Sequence, residues 1–287
     1  MSPDPRQPEP RQPAAVRLNL HRAGSGPPLL LIHGIGHRWR AWEPVLDRLA
    51  DAHEVIAVDL PGFGDSPLPD DGAPLDIAGI VARLGRVLRQ QEIERPHVAG
   101  NSLGGALALE LATAGRAASA TVFSPAGFYA GTDRWRAAVI LSWLRAQTFL
   151  PLPVLRAVLR IRPIRAASVG ALVAHPERLD PDRLLNDALA LRHGRGFRPV
   201  LRALGRYRFD GTALQAMTDV PVTVAWGTRD RILPPHHAAR ARQVLPRACH
   251  VTLPGCGHLP MSDDPSLVAG TILATTGVRS RRSAPEE

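Results

Sequence analysis

The sequence predicts an α/β fold in which a mostly parallel, doubly wound sheet carries an inserted helical cap. Short apolar runs alternate with segments of helical periodicity, which is typical of parallel sheets whose strands are joined by crossover helices. The alternation stops near residue 128 and resumes near residue 213, and helical patterns interrupted by prolines fill the gap. The chain has 287 residues, of which 45% are apolar, so it can bury one large core and still carry an insertion.

The domain organisation follows from this change of pattern. We expect an α/β core formed by residues 14–127 and 213–278, and a helical cap formed by residues 128–212. Both chain ends are polar. Residues 1–13 lack an apolar stretch and are predicted to be a disordered tail rather than a signal peptide, and residues 279–287 are predicted to be a second disordered tail.

The strands of the core are predicted from short runs with strand-like patterns. Residues 15–21 alternate apolar and polar residues, as an edge strand does, and residues 22–26 form a turn. Residues 28–32 are wholly apolar, as expected of a parallel strand that is covered on both faces. Further strands are predicted over residues 54–58, 98–99, 119–123, 220–226 and 249–253.

The helices are predicted from apolar residues spaced three and four apart. Those of the core cover residues 39–49, 77–91, 106–114, 237–244 and 266–275. Those of the cap cover residues 135–147, 154–160, 164–173, 181–192 and 197–204.

The stretch from Gly100 to Gly104, with Ser102 at its centre, has the pattern of a tight turn between a strand and a helix. The glycines two residues before and two residues after the serine leave room for the strand and the helix to approach each other. Such a turn strains the serine backbone and exposes its hydroxyl beside the N-terminus of the helix. This arrangement suits a nucleophile, provided that a base, an acid and an oxyanion hole are supplied elsewhere.

Four residues with functional side chains each lie just past the end of a predicted strand. These are His33, Ser102, Asp230 and His258. In doubly wound sheets the carboxyl ends of the parallel strands meet along one edge, where ligands bind. The four side chains are therefore expected to gather at one edge of the sheet.

At these residues the chain resembles the α/β-hydrolase family. The resemblance covers roughly residues 16–123 and 220–275 and rests on His33-Gly34, residues 59–66, residues 100–105, residues 227–230 and Gly257-His258. It implies the α/β-hydrolase fold with a helical cap. It also implies a catalytic triad in the chain order Ser102, Asp230, His258, with backbone N–H groups of Ile35 and Leu103 as the oxyanion hole. His33, Gly34, Gly100 and Gly104 would then be structural turn residues.

The chemistry expected of these residues is nucleophilic catalysis without a cofactor or a metal. Ser102 needs a base to become nucleophilic, and His258 suits proton transfer near neutral pH. Asp230 would hold the imidazole in the correct tautomer. A rival acid after the strand that ends at residue 123 is excluded, because that position is Ser124.

The predicted function is hydrolysis of an ester or thioester through an acyl-enzyme. An alternative is carbon–carbon bond hydrolysis of diketo acids from aromatic ring cleavage, because Asn101 and Cys256-Gly257-His258 resemble that group of enzymes. The usual glycine-rich stretch after His-Gly and the tryptophan after the catalytic histidine are replaced by Ile35-Gly36-His37 and Leu259. A non-catalytic ligand receptor on the same fold is a third interpretation.

Substrate choice is expected to lie in the cap, which carries the excess positive charge. Residues 128–212 hold 15 arginines and six acidic residues. The whole chain contains no lysine and has a net charge of +9. This charge favours an anionic small-molecule acyl substrate, or else it is a solvated basic surface; a basic amphipathic cap could also touch a membrane surface. No nucleic-acid-binding motif accompanies it. Candidates for substrate contacts are Asn101, His37, Trp135 and Trp143.

The two cysteines, Cys249 and Cys256, have neither disulfide nor metal-site spacing. A catalytic role for Cys256 beside His258 is the alternative to a buried filler. A reducing, cytoplasmic setting is the simplest interpretation. No apolar run approaches the roughly 20 residues of a membrane span, so stable membrane insertion is not expected.

Overall fold

The protein is built on one twisted sheet with helices on both faces. The structure is a computed structural model that describes residues 16–216 and 219–278. Within these residues there are seven strands: β1 (Leu20–Ala23), β2 (Pro28–Ile32), β3 (Glu54–Val58), β4 (His97–Asn101), β5 (Ser119–Phe123), β6 (Val222–Gly227) and β7 (Cys249–Leu253). They lie in the order β1-β3-β2-β4-β5-β6-β7, and all neighbours are parallel except β1 and β3. The predicted α/β fold class is confirmed.

The helices of the described residues follow the strands in the alternation that the sequence predicts. In chain order they are α1 (Glu43–Ala50), α2 (Ile77–Gln90), α3 (Leu103–Thr113), α4 (Asp133–Gln147), α5 (Leu152–Arg160), α6 (Arg162–Val169), α7 (Pro181–His193), α8 (Phe197–Arg206), α9 (Thr212–Ala216), α10 (His236–Val244), α11 (Pro260–Asp263) and α12 (Pro265–Thr276). A 3₁₀ turn, Trp39–Trp42, leads into α1.

The core consists of two layers, one on each face of the sheet. Along β2, Leu30 and Ile32 belong to the layer that contains the buried residues of α2 and α3, while Leu29 and Leu31 belong to the layer that contains those of α1 and α12. Successive side chains of a strand point to opposite faces. A strand covered on both faces therefore has to be apolar throughout, which explains the sequence of β2.

Four predicted strands have the predicted bounds, namely β2, β3, β5 and β7. The edge strand β1 begins later than expected and includes Arg22 and Ala23, which were predicted to be a turn. These two residues pair with Ile56 and Val55 of β3, and this pairing outweighs their local turn preference. The predicted tails, like Ala15, lie outside the described residues.

Helices α4 to α9 connect β5 to β6, and no strand lies between residues 124 and 221 in the described part of the chain. α5 packs on α6 and α7, and α4 packs on α7 and α8. Leu155, Leu159 and Leu185 form a small separate core among them. No single described helix is long and apolar enough to cross a membrane; α4 and α5 would meet that criterion only as a pair, and they are bent by 114° at their junction.

Candidate active site

Ser102 lies at the apex of the turn between β4 and α3 in a strained backbone conformation. Its φ is 56° and its ψ is −114°, a region that costs a residue with a side chain on the order of 1–3 kcal/mol. The turn is held by a hydrogen bond from the Ser102 N–H to the Phe123 carbonyl, at 2.9 Å, and by one from the Ala126 N–H to the Ser102 carbonyl, at 3.0 Å. The strain is therefore imposed by the end of the neighbouring strand.

The two glycines of this turn are required by close backbone approach. A Cβ on Gly100 would lie 2.1 Å from the carbonyl oxygen of Gly104, and a Cβ on Gly104 would lie 2.0 Å from the carbonyl oxygen of Ile32. Neither oxygen can move away, because both belong to packed backbone. The serine is thus fixed between a strand and a helix that nearly touch.

Asp230 and His258 are joined by a hydrogen bond between Oδ2 and Nδ1, 2.8 Å long. The other carboxylate oxygen of Asp230 accepts the N–H groups of Ile232, at 2.9 Å, and Leu233, at 2.8 Å. Both side chains of the pair are almost fully buried. The carboxylate is therefore held by three hydrogen bonds, and with Nδ1 donating to it the imidazole keeps Nε2 as an acceptor.

Ser102 and His258 both line one cavity, which lies between the sheet edge and helices α4 to α8. The cavity has about 980 Å³ of free space, part of which is open solvent. Its lining is mostly aliphatic: Leu141 and Leu144 from α4, Leu150, Leu155, Val158 and Leu159 from the α5 region, and Leu172, Leu184 and Leu191 from α6 to α7. An apolar group placed here would lie beside the serine.

The loop after β2 closes another side of the cavity. His33 accepts the Leu60 N–H on Nε2, at 2.9 Å, and contacts the Gly34 carbonyl through Nδ1, at 2.7 Å. Burial lowers the pKa of His33 to about 4, so the ring is neutral and joins this loop to the one after β3. Ile35 lines the cavity beside Ser102, and Leu103 is the first residue of α3, so its N–H has no acceptor within the helix.

Comparisons with known proteins identify the family. The profile described as "Alpha/beta hydrolase family" matches residues 29–271. The chain belongs to the alpha/beta hydrolase family.

Individual relatives are consistent with this membership. An uncharacterized protein of Mycobacterium tuberculosis is 32% identical over 255 residues, which are 85% of this chain and 73% of that protein. The 2-hydroxymuconate semialdehyde hydrolase of a Pseudomonas species is 42% identical over 102 residues, or 34% of this chain and 36% of that enzyme. Among solved structures, the meta-cleavage product hydrolase of Pseudomonas fluorescens has a TM-score of 0.73 at 19% identity, covering 91% of this chain and 94% of that one; this likeness shows the fold.

Asn101 connects the serine turn of this alpha/beta hydrolase to the histidine loop. Its amide nitrogen donates to the Phe123 carbonyl, at 3.1 Å, and to the His258 carbonyl, at 2.9 Å. Its amide oxygen is buried without a hydrogen-bond partner among the described residues, and the residue lines the cavity. Its role as a substrate contact stays a prediction.

His37 also lines the cavity, as predicted for a substrate contact. Burial lowers its pKa, which the neighbouring Asp187 carboxylate partly opposes. Its Nδ1 is buried and has no partner within the described part of the chain. His37 is thus one of several polar residues that line the cavity, together with Gln147, Ser168 and Asp187.

Trp135 and Trp143 do not line the cavity, so the structure does not support their prediction as substrate contacts. Their side chains are 62% and 51% exposed. The sequence of α4 has apolar residues on two sides of the helix, and either side could have lined the cavity. The structure places Leu141 and Leu144 there. Of the arginines that the structure describes, none lines the cavity, so the excess charge of residues 128–212 does not surround the serine.

The alternatives to the acid and the nucleophile are disfavoured by position. Ser124 is buried at the end of β5, with no hydrogen-bond partner for its hydroxyl among the described residues. Asp219, the aspartate that precedes β6, is a further acid to consider, but it pairs with Arg95 on the surface. Cys256 is buried, and its thiol pKa is raised to about 12 by burial and by Asp263 and Asp264. A thiol that stays protonated is not a nucleophile.

A metal site was not predicted, but one group of described residues has the ligand types for it. Asp133, His236 and His237 place their ligand atoms within 4.8 Å of one another. As the side chains stand, both Nε2 atoms contact Oδ2 of Asp133, at 2.6 and 2.8 Å, and link the start of α4 to α10. Burial lowers the pKa of His237, and the two histidines lower that of Asp133. Hydrogen bonds already satisfy this carboxylate, and the group does not line the cavity.

Asp263 is a positioning residue that the sequence analysis missed. Its buried carboxylate accepts the N–H groups of Gly257, at 2.7 Å, and of Ala174 and His175, both at 3.0 Å. It thereby ties the loop that carries His258 to the segment after α6. The sequence did hold one signal for it. Asp264 alone suffices to cap α12, so the aspartate before it was free to have another role.

Replacing Asp263 with alanine is expected to lower the free energy of unfolding by roughly 3 kcal/mol or more, because three N–H groups lose their acceptor at about 1–3 kcal/mol each when buried. Urea denaturation measures the change. The matched control is Asp264→Ala, which removes only a helix cap and should cost about 1 kcal/mol. If both variants lowered the free energy of unfolding equally, Asp263 would not join the two segments as we infer.

Proposed function

We propose that this alpha/beta hydrolase cleaves esters or thioesters of apolar acyl groups through an acyl-enzyme on Ser102. The observation that carries the proposal is the hydrogen bond from His258 to Asp230, made at the cavity where the strained Ser102 also lies. The proposed nucleophile, the base and the group that orients the base follow three different strands, β4, β7 and β6, and this convergence supports the proposal.

In the proposed mechanism, Ser102 Oγ attacks the substrate carbonyl carbon while Nε2 of His258 takes its proton. Asp230 stabilises the imidazolium that forms. The negative oxygen of the tetrahedral intermediate accepts hydrogen bonds from the backbone N–H groups of Ile35 and Leu103. Each such donor contributes about 3–4 kcal/mol to transition-state stabilisation. His258 then gives its proton to the leaving alcohol or thiol. Water hydrolyses the acyl-enzyme by the same steps.

We further propose that residues 128–212 act as the cap that selects the acyl group. Helices α4 to α7 supply most of the aliphatic side chains of the cavity. This lining favours a neutral, apolar acyl chain over the anionic substrate that the charge of the segment first suggested. A cytoplasmic location stays a prediction.

A second candidate is the hydrolysis of carbon–carbon bonds in diketo acids. The local 42% identity to 2-hydroxymuconate semialdehyde hydrolase favours it. The cavity lining opposes it, because a diketo acid carries a carboxylate and none of the described residues that line the cavity is an arginine. Assays of p-nitrophenyl esters, acyl-coenzyme A thioesters and ring-cleavage diketo acids with one preparation distinguish the two; turnover of the diketo acids alone would replace our proposal with this candidate.

The apolar lining gives a prediction for chain length. With p-nitrophenyl esters, kcat/KM is expected to rise by up to about fourfold for each added methylene until the cavity is filled. A terminal carboxylate on the chain should remove the gain, with little dependence on salt. Leu155→Phe, which narrows the cavity, should abolish the preference for longer chains.

The control for this variant is Leu152→Phe, which adds the same volume on the exposed side of α5 and should leave the chain-length profile unchanged. A preference for the carboxylated chains that decreases as salt is added would contradict the assignment and restore the anionic substrate.

A further inference from the structure

The large apolar side chains that this protein exposes are concentrated in one segment. Among the described residues, all nine large hydrophobic side chains that are exposed lie between residues 135 and 164, with exposed fractions of 38–67%. We call this surface the outer helical face; its members are Trp135, Val139, Trp143, Phe149, Leu150, Leu152, Val154, Ile161 and Ile164. Single exposed apolar residues are ordinary, but their concentration in one short segment favours an interaction surface.

Part of the outer helical face is a regular stripe along α4. On α4, Trp135, Val139 and Trp143 are spaced four residues apart, so they form one stripe. Ala137 and Leu144 are buried on the other side of that helix. The segment therefore has two apolar sides, and only one of them is needed for packing.

The charge of the same segment has one sign. From residue 134 to residue 176 there are seven arginines and no aspartate or glutamate. Arg136, Arg156 and Arg162 are exposed and form no ion pair with any described residue. Arg160 forms one exposed ion pair, with Asp182, in which the nitrogen and oxygen atoms are 3.6 Å apart. The occupant of this face has to offer apolar surface together with negative charge.

A second copy of the chain does not meet that requirement. In a two-fold symmetric dimer the same patch faces itself, so arginines would meet arginines with no acid to pair with them. An anionic phospholipid surface offers both properties. Its acyl chains can bury the tryptophan, phenylalanine and leucine side chains, and its phosphates can pair with the arginines.

We propose that the outer helical face docks this protein on anionic lipid membranes. The bent pair α4–α5 lies along the surface in this arrangement and does not cross the bilayer. Leu150 belongs both to the face and to the lining of the cavity, so docking brings the cavity to the lipid. Docking does not depend on the proposed hydrolase activity and is tested without it.

The test uses the full chain with Ser102→Ala, which is not expected to consume lipid. Vesicles of phosphatidylcholine with phosphatidylglycerol are expected to co-sediment the protein, vesicles of phosphatidylcholine alone to do so much less, and added salt to release it. Brominated acyl chains are expected to quench Trp135 and Trp143, whereas Trp42 and Trp226, which are 0% and 3% exposed, stay unquenched.

Two double variants in this background make the test specific. Trp135→Ser with Trp143→Ser, and Arg136→Gln with Arg162→Gln, should each weaken vesicle binding by roughly tenfold or more. The matched control, Arg48→Gln with Arg89→Gln, removes the same charge from exposed positions on α1 and α2 and should bind like its parent. Unchanged thermal melting shows that each variant is folded.

Three outcomes would overturn the proposal. One is the absence of binding to the anionic vesicles. Another is binding that the control pair weakens as much as the Arg136 and Arg162 pair does. The third is self-association in sedimentation velocity that Trp135→Ser with Trp143→Ser abolishes, in the absence of lipid binding.

Discussion

Replacing Ser102 with alanine is expected to reduce kcat by a factor on the order of 10⁶, the size of effect found when a serine nucleophile is removed from a triad. The reason is that the attacking oxygen is lost, whereas His258, Asp230 and the cavity remain. Initial rates with a p-nitrophenyl ester measure the effect. The turn should keep its conformation, because its strain comes from backbone hydrogen bonds and from the approach of Gly100 and Gly104.

The matched control is Ser124→Ala. Ser124 is buried near the end of the neighbouring strand, and its hydroxyl has no hydrogen-bond partner among the described residues. Its removal is expected to leave kcat unchanged. If Ser124→Ala were inactive and Ser102→Ala were active, the nucleophile would be misassigned.

Asp230→Asn is expected to lower kcat by roughly 10³- to 10⁴-fold without unfolding the protein. The asparagine oxygen can still accept the N–H groups of Ile232 and Leu233, so the loop after β6 is retained. The amide nitrogen then faces Nδ1 of His258. Because it donates rather than accepts, it favours the tautomer whose Nε2 carries a proton and cannot receive that of Ser102.

Asp219→Asn is the control, because Asp219 lies on the surface in an ion pair with Arg95. It should retain full activity. Circular dichroism melting and kcat are measured on both variants. A fully active Asp230→Asn enzyme would show that another group orients His258.

The sequence predicts the sheet well because burial leaves a strong pattern in it. β2 and β3 are covered on both faces, so their residues are apolar at nearly every position and their bounds are readable. The edge strand β1 is covered less, and Arg22 and Ala23 join it only through pairing with β3. That pairing is a tertiary contact without a local signal.

The positions of Ser102, Asp230 and His258 are predictable for a different reason. Each follows a strand, and parallel strands end at one edge of the sheet, so order along the chain is sufficient to place them together. The hydrogen bond between Asp230 and His258 agrees with this expectation. Their catalytic roles are what the substitutions above test.

The helices between β5 and β6 are less predictable in function. Periodicity shows which residues of α4 share a side, but not which side is covered. Trp135 and Trp143 therefore were plausible cavity residues, yet they lie on the outer helical face, and no described arginine lines the cavity. Asp263 was missed because its three partners are N–H groups, two of them from a distant segment of the chain.

The most direct test of the account is to locate the covalent intermediate. The enzyme is mixed with a p-nitrophenyl ester, quenched in acid while p-nitrophenol is released in a burst, and digested for mass spectrometry. We expect the acyl mass on the peptide that contains Ser102, and no such adduct with Ser102→Ala. An acyl group on any other residue, or steady turnover in the Ser102→Ala variant, would contradict the acyl-enzyme mechanism.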